Sequence, residues 1–295
     1  MPLLQINSLS KTYGEKKALD NVSFSVDEGE IVALIGKNGA GKTTLMNIIS
    51  SITAETAGEV FYKGTNILEN PDLLNEFGIL ITAVFLDYLN TYQNLKNLMM
   101  ASEINDPEII DRKINDVLSL VGLSSQKTKK VKTFSFGMKQ RLGFAQALLN
   151  HNKFLILDEP FVGMDPLGKE MMKSVILRKA HEDGAGILFS SHELTDVEEI
   201  CDRIVMISGG KKIYDGKFTK ERRYEIEIAG NMVKDILFKA FENIPSVELY
   251  SDKVVFDDKK YIHDVVTALV ENEIFISDIN VAGSSLLDFF NREAT

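Results

Sequence analysis

Residues 36–44 read Gly36-Lys37-Asn38-Gly39-Ala40-Gly41-Lys42-Thr43-Thr44 and fill every fixed position of the pattern G-x-x-x-x-G-K-[ST]. The run before it, Ile31-Val32-Ala33-Leu34-Ile35, reads as a short buried strand. The run after it, Leu45-Met46-Asn47-Ile48-Ile49, carries apolar residues at helical spacing. In that setting the glycines let backbone N–H groups turn inward around nucleotide phosphates, and the helix points its positive end at them. Lys42 is then expected to reach the β- and γ-phosphates, and the Thr43 hydroxyl to hold Mg²⁺.

The 295 residues are 44% hydrophobic and 26% charged, ordinary for a globular protein with core enough to dispense with disulfides. The one cysteine, Cys201, follows an apolar residue and reads as a packed small side chain in a reducing compartment. A formal net charge of −10 argues against nonspecific attraction to nucleic acid, and no nucleic-acid partner is expected. The start, MPLLQINSLSKTYG, lacks the basic and long apolar regions of a secretory signal. The longest apolar stretch, around Gly78 to Leu86, is about half of what a membrane-spanning helix needs. A membrane role is therefore expected to come through a partner.

Strand-like alternation runs through Leu4, Ile6 and Leu9 to a Tyr13-Gly14 turn, then through Val22, Phe24 and Val26. Residues near 100–123 read as helical, with Ile109, Ile110, Ile114, Val117, Leu118 and Val121 at helical spacing and Gly122 closing the run, and strand and helix alternate from there to a hairpin at Arg203–Gly216. The order implies an α/β fold with a mainly parallel core sheet and an antiparallel portion near the N-terminus. The character changes near residue 219, which divides the chain into expected domains 1–218 and 219–295. The second reads as β-α-β-β-α-β, a small ferredoxin-like α+β domain, with Ser285 to Asn291 as a further helix.

Four more motifs follow the glycine loop. The apolar strand Phe154-Leu155-Ile156-Leu157 delivers Asp158 and Glu159 at its end, where open α/β sheets place their ligands. Asp158 can join a Mg²⁺ shell and Glu159 can polarise an attacking water. Just upstream, Ser135-Phe136-Gly137-Met138 opens a helix, where Ser135 can serve as a simple cap or as an anion contact. Asp165 follows the carboxylate pair in Gly163-Met164-Asp165-Pro166, and His192 sits at the next strand end in Ser190-Ser191-His192-Glu193.

Together these residues resemble the nucleotide-binding subunit of an ATP-binding-cassette (ABC) transporter, over roughly the first 218 residues. The resemblance implies a P-loop cassette with parallel core, antiparallel β and α-helical subdomains, and the cofactors ATP and Mg²⁺. It makes Gly36 through Thr44 the phosphate loop and Tyr13 the aromatic stacked on adenine. Asp158 becomes the metal ligand and Glu159 the general base, with Lys42 and the switch histidine His192 beside them in catalysis. Ser135 to Met138 becomes the signature loop, which contacts ATP across a dimer, and Asp165 belongs to a dimer-interface loop. The implied partners are a second copy or second ATPase subunit, packed head to tail around ATP, and a separate permease. The implied place is the cytoplasmic face of the plasma membrane.

Two departures stand out. Phe136 and Met138 replace a glycine and a glutamine of the usual signature Leu-Ser-Gly-Gly-Gln. Thr82 stands where the family has a glutamine that touches the metal, and its shorter hydroxyl reaches that metal only through water. Gln93 lies too far along to substitute. Slower basal hydrolysis, or a different dependence on the partner, is expected. The stretch Phe134 to Gly143 and the closing Ser285-Leu286-Leu287-Asp288-Phe289-Phe290 resemble peptide exporters of the bacitracin, lantibiotic and phenol-soluble modulin type, which handle amphipathic antimicrobial or toxin peptides. Cargo would touch the permease and reach this chain only indirectly. Two alternatives remain at this point: a soluble ABC ATPase acting on ribosomes or DNA, and a regulatory module that binds ATP without turnover.

Overall fold

The apolar run before the glycine loop forms strand β3 (Ile31–Ile35), and all five of its residues are buried. Having no polar face, it suits only the middle of a covered sheet. The computed structural model describes residues 2–67, 69–149, 152–217, 222–229, 241, 244 and 247–283. The chain divides into two compact units, Met1–Phe218 and Thr219–Thr295.

In the first unit, β1 (Leu4–Tyr13), β2 (Lys16–Val26), β4 (Ala57–Tyr62) and β5 (Thr65–Asn66) form an antiparallel sheet in the order β2-β1-β4-β5. The second sheet joins β3 to β6 (Phe77–Leu80), β7 (Phe154–Leu157), β8 (Gly186–Ser190), β9 (Arg203–Ser208) and β10 (Lys211–Gly216). Its order is β10-β9-β3-β8-β7-β6, with every pairing parallel except the β9–β10 hairpin. Helix α1 (Lys42–Ile49) leaves the glycine loop and shares one core with both sheets, which includes Leu4, Val22, Ile48, Leu34 and Ile156. Tyr62, Phe77 and Phe154 tie the sheets at one edge, with centroids 4.7 Å apart for Tyr62–Phe77 and 5.2 Å for Phe77–Phe154.

The helix expected near 100–123 is α3 (Pro107–Leu120), and a break separates it from α2 (Thr91–Ala101) before it. The break has a local cause: Asp106 accepts from the N–H groups of Glu108 and Ile109, and Pro107 takes the first helical position. At the start of α2, Asn90 and Gln93 form a reciprocal capping box. Helix α4 (Phe136–Leu148) follows, and α5 (Pro166–His181) and α6 (Leu194–Ile200) alternate with the last parallel strands. Cys201 after α6 is a packed side chain whose thiol burial pushes up to about 12, far from a reactive thiolate.

In the second unit, β11 (Arg222–Ala229), β12 (Glu248–Leu249), β13 (Lys253–Phe256) and β14 (Phe275–Gly283) form an antiparallel sheet in the order β12-β13-β11-β14. Helix α7 (Ile262–Glu271) buries Val265, Ala268 and Leu269 in a core with Tyr224, Ile226 and Phe256. The first helix of the ferredoxin-like reading and the helix expected at Ser285 to Asn291 fall outside the described residues, apart from Phe241 at the end of the first. No helix among the described residues is long and apolar enough to cross a membrane.

Candidate functional site

Strand register brings the polar residues together. Leu34 of β3 lies opposite Ser190 of β8, and Leu157 of β7 lies opposite Phe189 of β8. The C-terminal ends of three neighbouring strands therefore open side by side, where parallel sheets hold their ligands. From the first end runs the glycine loop, from the second Asp158 and Glu159, and from the third Ser190, Ser191 and His192.

Packing dictates the glycines. A side chain at Gly36 would meet the Ile207 carbonyl at 2.3 Å. Gly41 has φ +113° and would meet the Ala18 carbonyl at 2.6 Å. The loop thus lies flat on β2 and β9 and turns into α1 through a conformation that only glycine adopts cheaply. Lys42 is buried, and its ammonium donates to the Gly36 carbonyl at 2.7 Å, so the loop closes on its own lysine.

A chain of short contacts crosses the strand ends. The Thr43 hydroxyl donates to Asp158 Oδ2 at 2.6 Å, and the Ser190 hydroxyl donates to Asp158 Oδ1 at 2.5 Å. The same Ser190 oxygen accepts from the Glu159 N–H at 2.9 Å. His192 Nδ1 and Glu159 Oε2 are 2.7 Å apart, and the His192 N–H donates to the same oxygen at 3.3 Å. A carboxylate oxygen accepts, so Nδ1–H is the donor in this contact. Glu159 has φ +49°, a left-handed conformation that costs a side-chain-bearing residue about 1–3 kcal/mol. It is held there by Ser190 on its N–H and by Gln140 Nε2, which donates to its carbonyl at 3.4 Å.

Thr43, Asp158 and Glu159 line an open cavity of about 390 Å³ together with the rest of Asn38 through Thr44 and with Tyr13, Lys16 and Ala18, while Ser190 and His192 lie outside its lining. Tyr13 is about half exposed and carries Lys11 Nζ over its ring at 4.9 Å. Gly36 and Lys37 belong to the loop but not to the cavity wall. Thr82 is exposed and does not line the cavity either, two residues past Leu80, whose carbonyl accepts from the Asp158 N–H at 2.7 Å. Gln93 is engaged in the capping box, its side chain accepting from the Asn90 N–H at 3.0 Å.

The signature-like stretch opens α4. Ser135 caps it, accepting from the Met138 N–H at 3.3 Å, and remains exposed, as does Phe136 at 61%. The Phe136 ring lies over Gly163, where an added Cβ would fall 2.2 Å from Cδ1, and a Cβ on Gly137 would meet the Gly163 carbonyl at 2.7 Å. Arg141 reaches from the next turn of α4 to a salt bridge with Asp165, which stands at the N-cap position of α5 without a capping hydrogen bond from its side chain. The turn at the head of α4 is thus bound to the loop carrying Asp165 within one chain.

Lys16, Ala18, Gln140 and Ser190 belong to the site without having been singled out in the sequence. Among them Ser190 had one signal: it shares a strand end with His192.

Fold and site define a P-loop α/β nucleotide hydrolase in which two carboxylates leave the sheet beside the glycine loop. A family model described as "ABC transporter" matches residues 19–162. Over 98% of this chain and 96% of the relative, the sequence is 32% identical to the bacitracin transport ATP-binding protein BcrA of Bacillus licheniformis. It is 33% identical to the lantibiotic transport ATP-binding protein SrtF of Streptococcus pyogenes, over 88% of this chain and all 100% of that one. A solved ATP-binding subunit of an ABC transporter superposes with a TM-score of 0.67 at 32% identity, covering 73% of this chain and 90% of the other. The chain belongs to the ABC transporter family, as the ATP-binding subunit whose hydrolysis is coupled to transport.

Ser190→Ala removes a donor to Asp158 and an acceptor for Glu159 in one step. The expected result is a loss of about 1–3 kcal/mol of stability in denaturant unfolding and a fall in ATP turnover. Wild-type values for both would refute this account of how the carboxylates are held.

Proposed function

We propose that this chain hydrolyses Mg-ATP as one half of a head-to-tail pair and so drives export of amphipathic antimicrobial or toxin peptides through a separate permease at the cytoplasmic face of the plasma membrane. The observation that carries the hydrolytic part is the run of contacts from Thr43 through Asp158, Ser190 and Glu159 to His192. The bacitracin and lantibiotic names of relatives matched over 88–98% of this chain support a peptide cargo.

In this reading the phosphates lie in the glycine loop, with Lys42 moving from the Gly36 carbonyl to their charge and Tyr13 packed against the base. The Thr43 hydroxyl and the Asp158 carboxylate are hard oxygen donors that already meet at the cavity floor. That is the small protein share Mg²⁺ takes when phosphates supply the rest of its shell, and the ion would neutralise charge on the phosphate oxygens. Glu159 accepts a proton from the water whose oxygen attacks the γ-phosphorus. The bond from that phosphorus to the bridging oxygen breaks, and ADP leaves with the electron pair. His192 holds the Glu159 carboxylate through its Nδ1–H.

The partner's nucleotide would meet Ser135 and Gly137, whose exposed helix N-terminus favours an anion. Phe136, Met138 and Asp165 would flank that contact. Hydrolysis removes the anion bridging the two copies, and the pair opens. Val84 at 77% and Tyr88 at 67% exposure, with Leu86 between them, form an apolar rim for the permease on the segment from Thr82 to Leu95.

Glu159→Gln should lower turnover by about 10²- to 10⁴-fold and leave an ATP-dependent dimer that light scattering resolves. A variant that stays monomeric in ATP would sink the paired reading, and a wild type inert even with its permease would favour a regulatory module. Thr82→Gln should raise basal ATPase, and an unchanged rate removes the role given to Thr82. Tyr88→Glu should abolish co-purification with the permease while ATP binding persists; retained capture would place the docking surface elsewhere.

A further inference from the structure

Helix α5 starts at the Asp165 loop, and α6 starts two residues after His192, so whatever joins the two helices fixes one loop against the other. Lys169 and Lys173 stand one turn apart on α5 and face α6. Asp196, in the first turn of α6, is only 3% exposed. Its Oδ2 accepts from Lys169 Nζ at 3.1 Å, and its Oδ1 is 2.9 Å from Lys173 Nζ, so each carboxylate oxygen has its own ammonium. Lys173 also bonds Glu199. Lys169 makes one more contact, to the carboxylate of Glu193, the residue beside His192.

The segment around His192 is otherwise lightly held. Glu193 caps α6 without a side-chain hydrogen bond. Ser191 Oγ accepts from the Glu193 N–H at 3.0 Å and donates to the Glu193 carbonyl at 3.2 Å, so this turn around the histidine is local. The buried charge of Asp196 is already compensated by Lys173. The Lys169–Glu193 pair is therefore surplus to that burial, and an ion pair with so exposed a carboxylate adds little to stability. Its effect falls on geometry. Burial alone would pull the Lys169 ammonium down, but Glu193 and Asp196 raise it above the ordinary lysine value. Burial would raise the Asp196 carboxyl, and the two lysines hold it below its usual range. Lys169 and Asp196 are thus both held in their charged forms.

We propose that Lys169 is a positioning residue for hydrolysis: by holding Glu193 and Asp196 it sets His192 against Glu159 and ties that placement to the helix that begins at Asp165. This rests on the roles given above to His192 and Glu159.

The test measures kcat and KM for ATP in the full chain with Mg²⁺. Lys169→Met should lower kcat by about ten- to hundredfold with KM unchanged, because the phosphate loop lies on other elements. Lys169→Arg should keep most of the rate, and Glu193→Gln, which cuts the same link at its exposed end, should reproduce the loss without disturbing buried charge. In a His192→Ala background, Lys169→Met should cost nothing further. Full additivity there, a KM that rises as kcat falls, or wild-type kcat in both Lys169→Met and Glu193→Gln overturns the inference alone. A His192→Ala protein as active as wild type removes the inference together with the reading of His192 beneath it.

Discussion

The register between β3, β8 and β7 is the constraint from which the site follows. All three strands are buried along their length, so none has a polar face that a one-residue slip could turn to solvent. The chain becomes polar only at their C-terminal ends. With Leu34 opposite Ser190 and Leu157 opposite Phe189, those ends are level. A phosphate loop, two carboxylates and a histidine from distant parts of the sequence then fall within hydrogen-bonding distance without long loops to carry them.

Levelling the strands does not by itself aim the side chains. Glu159 turns back through a left-handed conformation, which carries its carboxylate toward His192 while Asp158, its neighbour, faces Thr43. Adjacent residues on an extended strand would have pointed to opposite faces. The turn keeps both near the cavity but with different partners, and the one hydroxyl of Ser190 serves both, donating to Asp158 and accepting from the Glu159 backbone. Strain at one residue is balanced by hydrogen bonds that exist only in that geometry.

How much of this could be read from the residues depended on how local each cause was. The glycine loop, the Asp158-Glu159 exit and the two sheet types were legible because each is a short run with its own chemistry. Helix α3 was legible in the same way, from the spacing of Ile109 to Val121, and Asp106-Pro107 marks its start locally. Ser135 read equally as cap and as ligand; it caps α4 and stays exposed, which leaves both uses compatible. The importance of Ser190 lies in the pairing of β7 with β8, a relation no single stretch records. Lys16 and Ala18 reach the cavity only because the antiparallel sheet folds over the loop. Thr82 was picked out by position relative to a glutamine elsewhere in the family, and position along a strand exit does not say where a short side chain ends up.

The contact between Phe136 and Gly163 has a consequence for how such a chain varies. The aromatic ring fills the space that any side chain at 163 would need, and Arg141 ties the same two segments together one turn further on. A side chain at 163 would meet both that ring and a left-handed backbone at φ +72°, so removing the ring alone would not make room for one. The bulk of Phe136 therefore rests on a position that its own backbone conformation already restricts to glycine.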